Sequence, residues 1–228
     1  MLGQLFSLFF PRLCVVCHKS LIPVEKLLCL GCVSDLPRSG SWLRKESVVA
    51  NLFCDSSEKQ VEHASSFLYY TKESPYHQLL IRLKYKGETQ IGIELGQWFG
   101  AALIKAPLYQ TIDAIVPVPL HPKKERKRGY NQSELFAQGI ALSTGWALET
   151  EVLKRNRHTA TQTKLNREER RQNVAGAFAL CNPERIAGKH ILLVDDVLTT
   201  GATLHTCAAE LLKAPGCMVW VATVAYVE

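Results

Sequence analysis

Two neighbouring acids and the segment that follows them are the residues of this sequence best suited to chemistry. The acids end an apolar run, and a short threonine- and glycine-containing segment leads from them toward a helical pattern. Carboxylates at the end of a strand can accept hydrogen bonds from two vicinal sugar hydroxyls, and glycine lets backbone amides approach a phosphate at the positive end of a helix. The sequence therefore predicts a sugar-phosphate site made by Asp195, Asp196, Thr199, Thr200, Gly201, Ala202 and Thr203.

The same two carboxylates offer a site for an Mg²⁺ ion that the ligand's own oxygens already coordinate. The alternative is that Asp196, Thr200 and Thr203 only cap a helix. Capping requires neither two acids nor a glycine, so the whole ordered string favours the ligand site.

Four of the eight cysteines form two C-x-x-C pairs with eleven residues between them, Cys14 with Cys17 and Cys29 with Cys32. Two such pairs bring four thiolates around one tetrahedral zinc. A closed four-sulfur site leaves no position for water, so the predicted zinc is structural. The alternatives are unligated thiols or a redox pair. His18 adjoins Cys17, and its position is sterically awkward for a ligand.

Basic residues concentrate in two segments of a chain whose net charge is +6. Five basic residues and one acidic residue lie between 117 and 131, and seven basic against two acidic lie between 154 and 173. Such clusters favour polyanions, although a solvated helix face is the alternative. Tyr130 is the candidate stacking platform, or else an ordinary core or rim residue. The candidate nucleic-acid contacts are Lys123, Lys124, Arg126, Lys127, Tyr130, Arg167, Arg170 and Arg171.

Two regions can be separated along the chain. Residues 1–55 are loop-rich and hold five cysteines, which predicts a small zinc module, and residues 56–228 form the main domain. Apolar periodicity predicts helices near 79–83, 93–103, 132–143 and 204–212, and strands near 64–70, 112–116, 151–153, 177–180, 191–194 and 218–226. Strands alternating with helices predict an α/β domain with a parallel sheet.

Composition points to a globular chain, since 47% of its 228 residues are hydrophobic. Residues 2–10 are apolar but too short to span a bilayer, so we expect no membrane span and a cytoplasmic location, at most at the inner face of the membrane. Five apolar side chains there either anchor the chain or pack the zinc module: Leu2, Leu5, Phe6, Phe9 and Phe10.

The string 191–203 resembles the phosphoribosyl-pyrophosphate signature of type I phosphoribosyltransferases. Segments 116–123, 128–132 and 162–173, together with 84–87 and the cysteine pairs, make nearly the whole chain similar to the ComF family. The resemblance implies a type I phosphoribosyltransferase-like parallel sheet with flanking helices, behind an N-terminal four-cysteine zinc ribbon.

The resemblance also implies residue roles. Asp195 and Asp196 would hold the ribose hydroxyls, and residues 199–203 the 5′-phosphate. Residues 157–173 would form a flap over the site, with Lys164 where glycine is more usual. The pyrophosphate and its neighbouring anions would lie beside Pro117, Val118, Pro119, Arg128 and Asn131.

Members of the ComF family are associated with natural transformation, which implies a protein that binds phosphoribosyl pyrophosphate with Mg²⁺ and handles single-stranded DNA on the cytoplasmic side. An uptake helicase or membrane channel is the implied protein partner. The alternatives are an active phosphoribosyltransferase of nucleobase salvage, and an assembly module whose sugar-phosphate site only regulates partner binding. The sequence identifies no residue that selects a nucleobase, so it leaves enzymatic activity open.

Overall fold

The computed structural model describes residues 11–53, 61–71, 73–156 and 176–227. Several predicted features lie outside these residues: the apolar segment 2–10, the domain boundary at 55/56 and the segment 157–173. Arg167, Arg170 and Arg171 belong to that last segment, so their role as nucleic-acid contacts stays a prediction.

Among the described residues, five strands form one parallel sheet in the order β1-β7-β6-β2-β3. The strands of this sheet are β1 (His63–Tyr70), β2 (Ala114–Pro117), β3 (Ala147–Leu148), β6 (His190–Leu198) and β7 (Met218–Val227). Strand β7 is apolar almost throughout, and β6 is apolar from Ile191 to Val194, as strands covered on both faces must be. The predicted α/β class is confirmed.

Helices cover both faces of this sheet. The helices of the described residues are α1 (Leu30–Ser34), α2 (Val48–Asn51), α3 (His77–Tyr85), α4 (Gln90–Leu103), α5 (Pro122–Arg128), α6 (Gln132–Thr144) and α7 (Ala202–Leu211). One core cluster joins α3, α4 and α6 to Leu192 and Val194, and another joins α7 to Ile191 and Leu193. Alternate residues of β6 therefore feed opposite cores, as the two-residue repeat of a strand requires.

Strands β4 (Leu153–Arg155) and β5 (Phe178–Leu180) form a separate antiparallel ribbon. The sequence predicted the first of them two residues too early and placed both among strands that alternate with helices. The ribbon differs because its two strands pair with each other, while Phe178 packs into the core beneath α7.

Helices α4 and α6 touch backbone to backbone. A Cβ on Gly139 would lie 2.1 Å from the carbonyl oxygen of Ile93, and one on Gly96 would lie 2.2 Å from that of Phe136. Only glycine permits this approach. The contact fixes α6 against the core, and its first turn reaches the carboxyl edge of the sheet.

The N-terminal segment shares its core with the sheet. Leu28, Leu36 and Trp42 belong to the same cluster as Phe67 of β1, and Trp42 meets Phe99 edge-on at 5.3 Å. The chain also pairs with the exposed edge of β1 through an antiparallel bridge between Arg38 and Leu68. Within the described part of the chain, no helix has the length and apolar character that crossing a bilayer demands.

Candidate functional site

Strand β6 delivers both aspartates to the carboxyl edge of the sheet, where ligands bind in open α/β folds. Asp195 Oδ1 accepts a hydrogen bond from Ser133 Oγ at 2.8 Å and another from the backbone N–H of Asp196 at 2.8 Å. Ser133 lies in the first turn of α6, so the glycine contact between α4 and α6 fixes this hydroxyl beside the acid.

Asp196 is held by a different helix. Its Oδ2 pairs with the Lys84 ammonium at 3.0 Å, near the end of α3. Tyr70, at the end of β1, is buried, and its hydroxyl makes no hydrogen bond among the described residues. Burial raises the pKa of this phenol and the charge of Asp196 raises it further, so the ring lies within electrostatic reach of that carboxylate.

The neighbouring acid affects the pKa of Asp195. Burial, followed by the neighbouring charge of Asp196, raises the pKa of Asp195 to about 7, against the smaller opposing effects of Ser133 and Lys84. A carboxyl held half-protonated near neutrality is typical of functional sites. Sugar hydroxyls or a metal ion would stabilise the ionised form.

The threonine and glycine segment faces Asp195 across a small cleft of about 40 Å³. Gly201 is the N-cap of α7, with φ +75°, and it offers no capping side chain. The structure thus does not show the expected alternative, in which Asp196, Thr200 or Thr203 serves as the cap. The arrangement leaves the N-terminus of a ten-residue helix pointing into the cleft.

The segment after β2 approaches the same edge. Val118 donates its N–H to the carbonyl of Val194 at 2.8 Å and accepts from Asn131 Nδ2 at 3.0 Å. Asn131 Oδ1 accepts a hydrogen bond from the backbone N–H of Ser133, so this side chain caps α6. Both ends of this side chain thus make structural bonds, and its predicted contact with anions remains a prediction. Pro117 pairs in register with Val194, which places Pro117 to Pro119 next to β6.

A basic cavity of about 430 Å³ adjoins this edge. It is lined by Lys84, Tyr85, Gly87, Lys124, Lys127, Arg128 and Tyr130, with no acidic residue among them. Burial lowers the pKa of Lys124, and the nearby guanidinium groups of Arg155 and Arg128 lower it further. Cations crowded in this way favour the binding of an anion.

Helix α5 separates the predicted nucleic-acid contacts into two groups. Lys124 and Lys127 line the cavity, whereas Lys123 and Arg126 do not. The reason is helical spacing, since residues three or four apart share a face, as Lys124 does with Lys127 and Arg128. Tyr130 is half-buried, and its hydroxyl donates to the carbonyl of Leu83. This position agrees with the alternative that Tyr130 is a core or rim residue and not a stacking platform.

A better aromatic platform lies across the cavity. Tyr85 is 76% exposed, and the Arg128 guanidinium lies 5.8 Å from the centre of its ring. Three residues here are not among the predicted site residues: Tyr85, Ser133 and Lys84. The resemblance of segment 84–87 to the ComF family is a usable signal for Lys84 and Tyr85. Nothing in the sequence marked Ser133.

The four paired cysteines converge in the N-terminal segment. The sulfur atoms of Cys14, Cys17, Cys29 and Cys32 all lie within 4.8 Å of one another. His18 follows with φ +60° and donates its backbone N–H to the Cys14 carbonyl, which closes the first turn. Four thiols at this spacing suit a tetrahedral metal ion, and His18 is not among the grouped ligands.

Comparison with known proteins places this geometry in context. The family described as "Phosphoribosyl transferase domain" matches residues 132–227, which include the aspartates and the loop. Competence protein F of Haemophilus influenzae is 29% identical over 90% of this chain and 93% of its own length. DNA utilization protein YhgH of Salmonella typhimurium is 35% identical over 61% of this chain and 62% of its own length. Competence protein ComFC of Bacillus subtilis is 27% identical over 63% and 56%.

A solved structure described as the allosteric regulatory enzyme of purine biosynthesis covers 57% of this chain and 25% of its own length. Its TM-score of 0.37 and identity of 23% are too low to carry an argument. The chain is similar over most of its length to a competence protein of the ComF type and contains a phosphoribosyltransferase-like domain.

Proposed function

We propose that this protein handles single-stranded DNA during DNA uptake and carries a site for phosphoribosyl pyrophosphate. The observation that carries the proposal is the position of the basic cavity, which shares Lys84 with the aspartate pair. Relatives named competence protein F, ComFC and DNA utilization protein support the same role.

The sugar-phosphate site follows from the contacts of the acids. Asp195 and Asp196 would accept hydrogen bonds from the ribose hydroxyls, while the N-terminus of α7 and residues 199–203 receive the 5′-phosphate. Mg²⁺ bound to the ligand's oxygens would meet the outer carboxylate oxygens. Because Lys84 already pairs with Asp196, it is placed to contact the incoming anion as well.

Calorimetric titration with phosphoribosyl pyrophosphate and Mg²⁺ tests this site. We expect wild-type protein to bind, and the double variant Asp195→Asn, Asp196→Asn to lose at least about tenfold in affinity, since each lost charged hydrogen bond costs roughly 1.5–3 kcal/mol. Asp35→Asn, at an exposed position after α1, is the matched control and should bind normally. Equal affinity in the double variant and the control would refute the assignment.

A second measurement on the same protein distinguishes binding from catalysis. Pyrophosphate release is measured with a panel of nucleobases as acceptors. We expect binding without turnover. Turnover with any base would instead support the nucleobase-salvage alternative.

DNA would bind along the basic cavity. Lys124, Lys127 and Arg128 offer charges for phosphates, and Tyr85 offers an exposed ring on which a base can stack. Such binding weakens with salt, because each phosphate contact releases counterions.

Helix α5 supplies its own control for the DNA experiment. Charge reversal at Lys124 and Lys127 should abolish most binding of a labelled oligothymidine and lower the log–log salt slope by about 0.7 per lost contact. Reversal at Lys123 and Arg126 removes the same charge from residues that do not line the cavity, so its effect should be small. Fluorescence anisotropy at several salt concentrations measures both. Equal losses in the two variants would mean that net charge, and not this cavity, governs binding.

We also propose that the four-cysteine cluster holds a structural zinc ion. The four sulfurs would complete its coordination, which leaves no position for a substrate.

A further inference from the structure

A second cavity, which shares no lining residue with the basic cavity, lies between the N-terminal segment and the sheet. Its volume is about 460 Å³, within the range of small-ligand sites. Its lining includes Arg38, Arg44, Tyr69 and Tyr226. Neither the cysteine cluster nor the aspartate pair belongs to it.

The two tyrosines form a stacked pair. Their ring centres are 5.5 Å apart and their planes differ by 13°. They occupy paired positions on the neighbouring strands β1 and β7, so the sheet holds them in register. Tyr69 is nevertheless 42% exposed, so its ring reaches the surface of the protein. A rigid, partly exposed pair of rings is the platform on which nucleobases stack.

The charges of the cavity are all positive. Among the described residues, neither the Arg38 nor the Arg44 guanidinium forms an ion pair, and no acidic side chain lines the cavity. Guanidinium groups suit phosphate because they present paired donors in a plane.

The backbone holds the two arginines in place. Arg38 bridges Leu68 of the edge strand, and Tyr69 N donates to Pro37 O at 2.9 Å. The carbonyl of Arg44 accepts from His63 at 2.8 Å. The backbone positions from which the two arginine side chains extend are therefore set by the folded chain.

The cavity lies on the carboxyl edge of the sheet, where the aspartates also lie. Tyr69 pairs with Tyr226, and Tyr226 pairs with Leu198, the residue before Thr199. Two strand spacings separate Tyr69 from Leu198, or about 10 Å. The basic cavity approaches the aspartate pair through Lys84.

We propose that this cavity binds a nucleotide of single-stranded DNA, with its base on Tyr69 and its phosphates on Arg38 and Arg44. It is a second contact for the strand, separate from α5. Together the two cavities direct a bound strand across the sheet edge that carries Asp195 and Asp196. The inference rests on the proposed handling of single-stranded DNA.

Photo-cross-linking tests the contact in the full chain. An oligothymidine with 5-iodouracil at successive positions is irradiated with the protein, and cross-linked peptides are mapped by mass spectrometry. We expect adducts on Tyr69 or Tyr226 in addition to the α5 region. Adducts confined to Tyr85 and Tyr130 would overturn the proposal.

Affinity measurements provide the second readout. Replacing Arg38 and Arg44 by alanine should weaken oligothymidine binding about tenfold, as should Tyr69→Ala, whereas Tyr69→Phe keeps the ring and should bind within about twofold of wild type. Lys45→Ala with Lys105→Ala removes two exposed charges outside the cavity and is the matched control. Thermal melting of each variant identifies any that fail to fold. The Tyr69→Phe variant remains informative even if an alanine variant does not fold.

The outcomes separate the two proposals. If wild-type protein does not bind oligothymidine, the proposed function and this inference both fail. If it binds while the cavity variants match the control, only the inference fails. Competition by thymidine monophosphate at the affinity of the oligonucleotide would show a site for free nucleotides, and would also overturn the inference.

Discussion

Asp195 shows at the scale of one residue how an acid of the candidate site opposes stability. Its carboxyl is half-buried beside another acid, and desolvation together with that neighbouring charge raises its pKa to about 7. The unfolded chain ionises the same group near pH 4, so between these values the unfolded state binds fewer protons than the folded state. Stability from this group is therefore fully present at low pH and declines as the pH rises from about 4 to 7.

Asp195→Asn should remove this penalty. Asparagine can still accept from Ser133 and from the Asp196 N–H, so the local bonds survive. We expect the variant to exceed wild type in free energy of unfolding by about 1–3 kcal/mol at pH 8, and to match it near pH 4. Urea denaturation at a series of pH values measures the difference. A variant less stable than wild type at pH 8 would show that the carboxylate stabilises the fold.

At the scale of elements, the contact between helices α4 and α6 positions Ser133 beside the aspartates. Gly139 and Gly96 let α4 and α6 approach, and α6 presents Ser133 to Asp195. A methyl group at either glycine would meet backbone, which has no rotamer by which to move away.

Gly139→Ala should destabilise the protein by about 1–3 kcal/mol, because its Cβ would lie 2.1 Å from a carbonyl oxygen. Gly31→Ala is the control, since a Cβ at that helical position meets nothing within 4 Å. Chemical denaturation of the two variants gives the comparison. The same loss from both would contradict the steric explanation, because helix propensity and chain entropy each favour alanine over glycine.

Helix α5 shows that composition alone does not tell which basic residues face a cavity. The sequence revealed a basic run but not its faces, and the fold directs Lys124 and Lys127 into the cavity and leaves Lys123 and Arg126 outside it. A helical wheel separates these pairs once the helix is known. Only the tertiary position of α5, whose Arg128 lies over the Tyr85 ring, decides which pair faces the cavity.

For the whole molecule, the cysteine cluster and the sheet are parts of one cooperative structure. Cys14 and Leu28 belong to the same core cluster as Phe67 and Leu192, so loosening the first turn also removes packing from the sheet. Metal binding to such a module contributes directly to folding free energy.

Cys14→Ser should therefore lose about one equivalent of zinc and lower the melting temperature of the entire chain by about 10 °C, in a single transition. Cys181→Ser replaces a thiol outside the cluster and should retain both the metal and the melting temperature. Metal analysis and differential scanning calorimetry report the two quantities. Wild-type protein without zinc, or an early separate transition in the variant, would contradict this expectation.

The sequence by itself determined the features whose residues lie close together along the chain. The acid pair with its loop is one contiguous string, the cysteines lie within nineteen positions in two short turns, and alternating periodicities define the α/β class. Local spacing carries this information because a strand, a turn and a helix each impose a short repeat.

Only the tertiary structure decided which distant residues meet at the site. Ser133 and Asp195 are 62 positions apart, Lys84 reaches Asp196 from another helix, and Tyr69 stacks on Tyr226 across two strands. Strand order and register determine the tyrosine pair, because the order β1-β7-β6 places the ends of sequence-distant strands at one edge. Helix packing determines the two contacts of the aspartates, since Ser133 and Lys84 each lie on a helix.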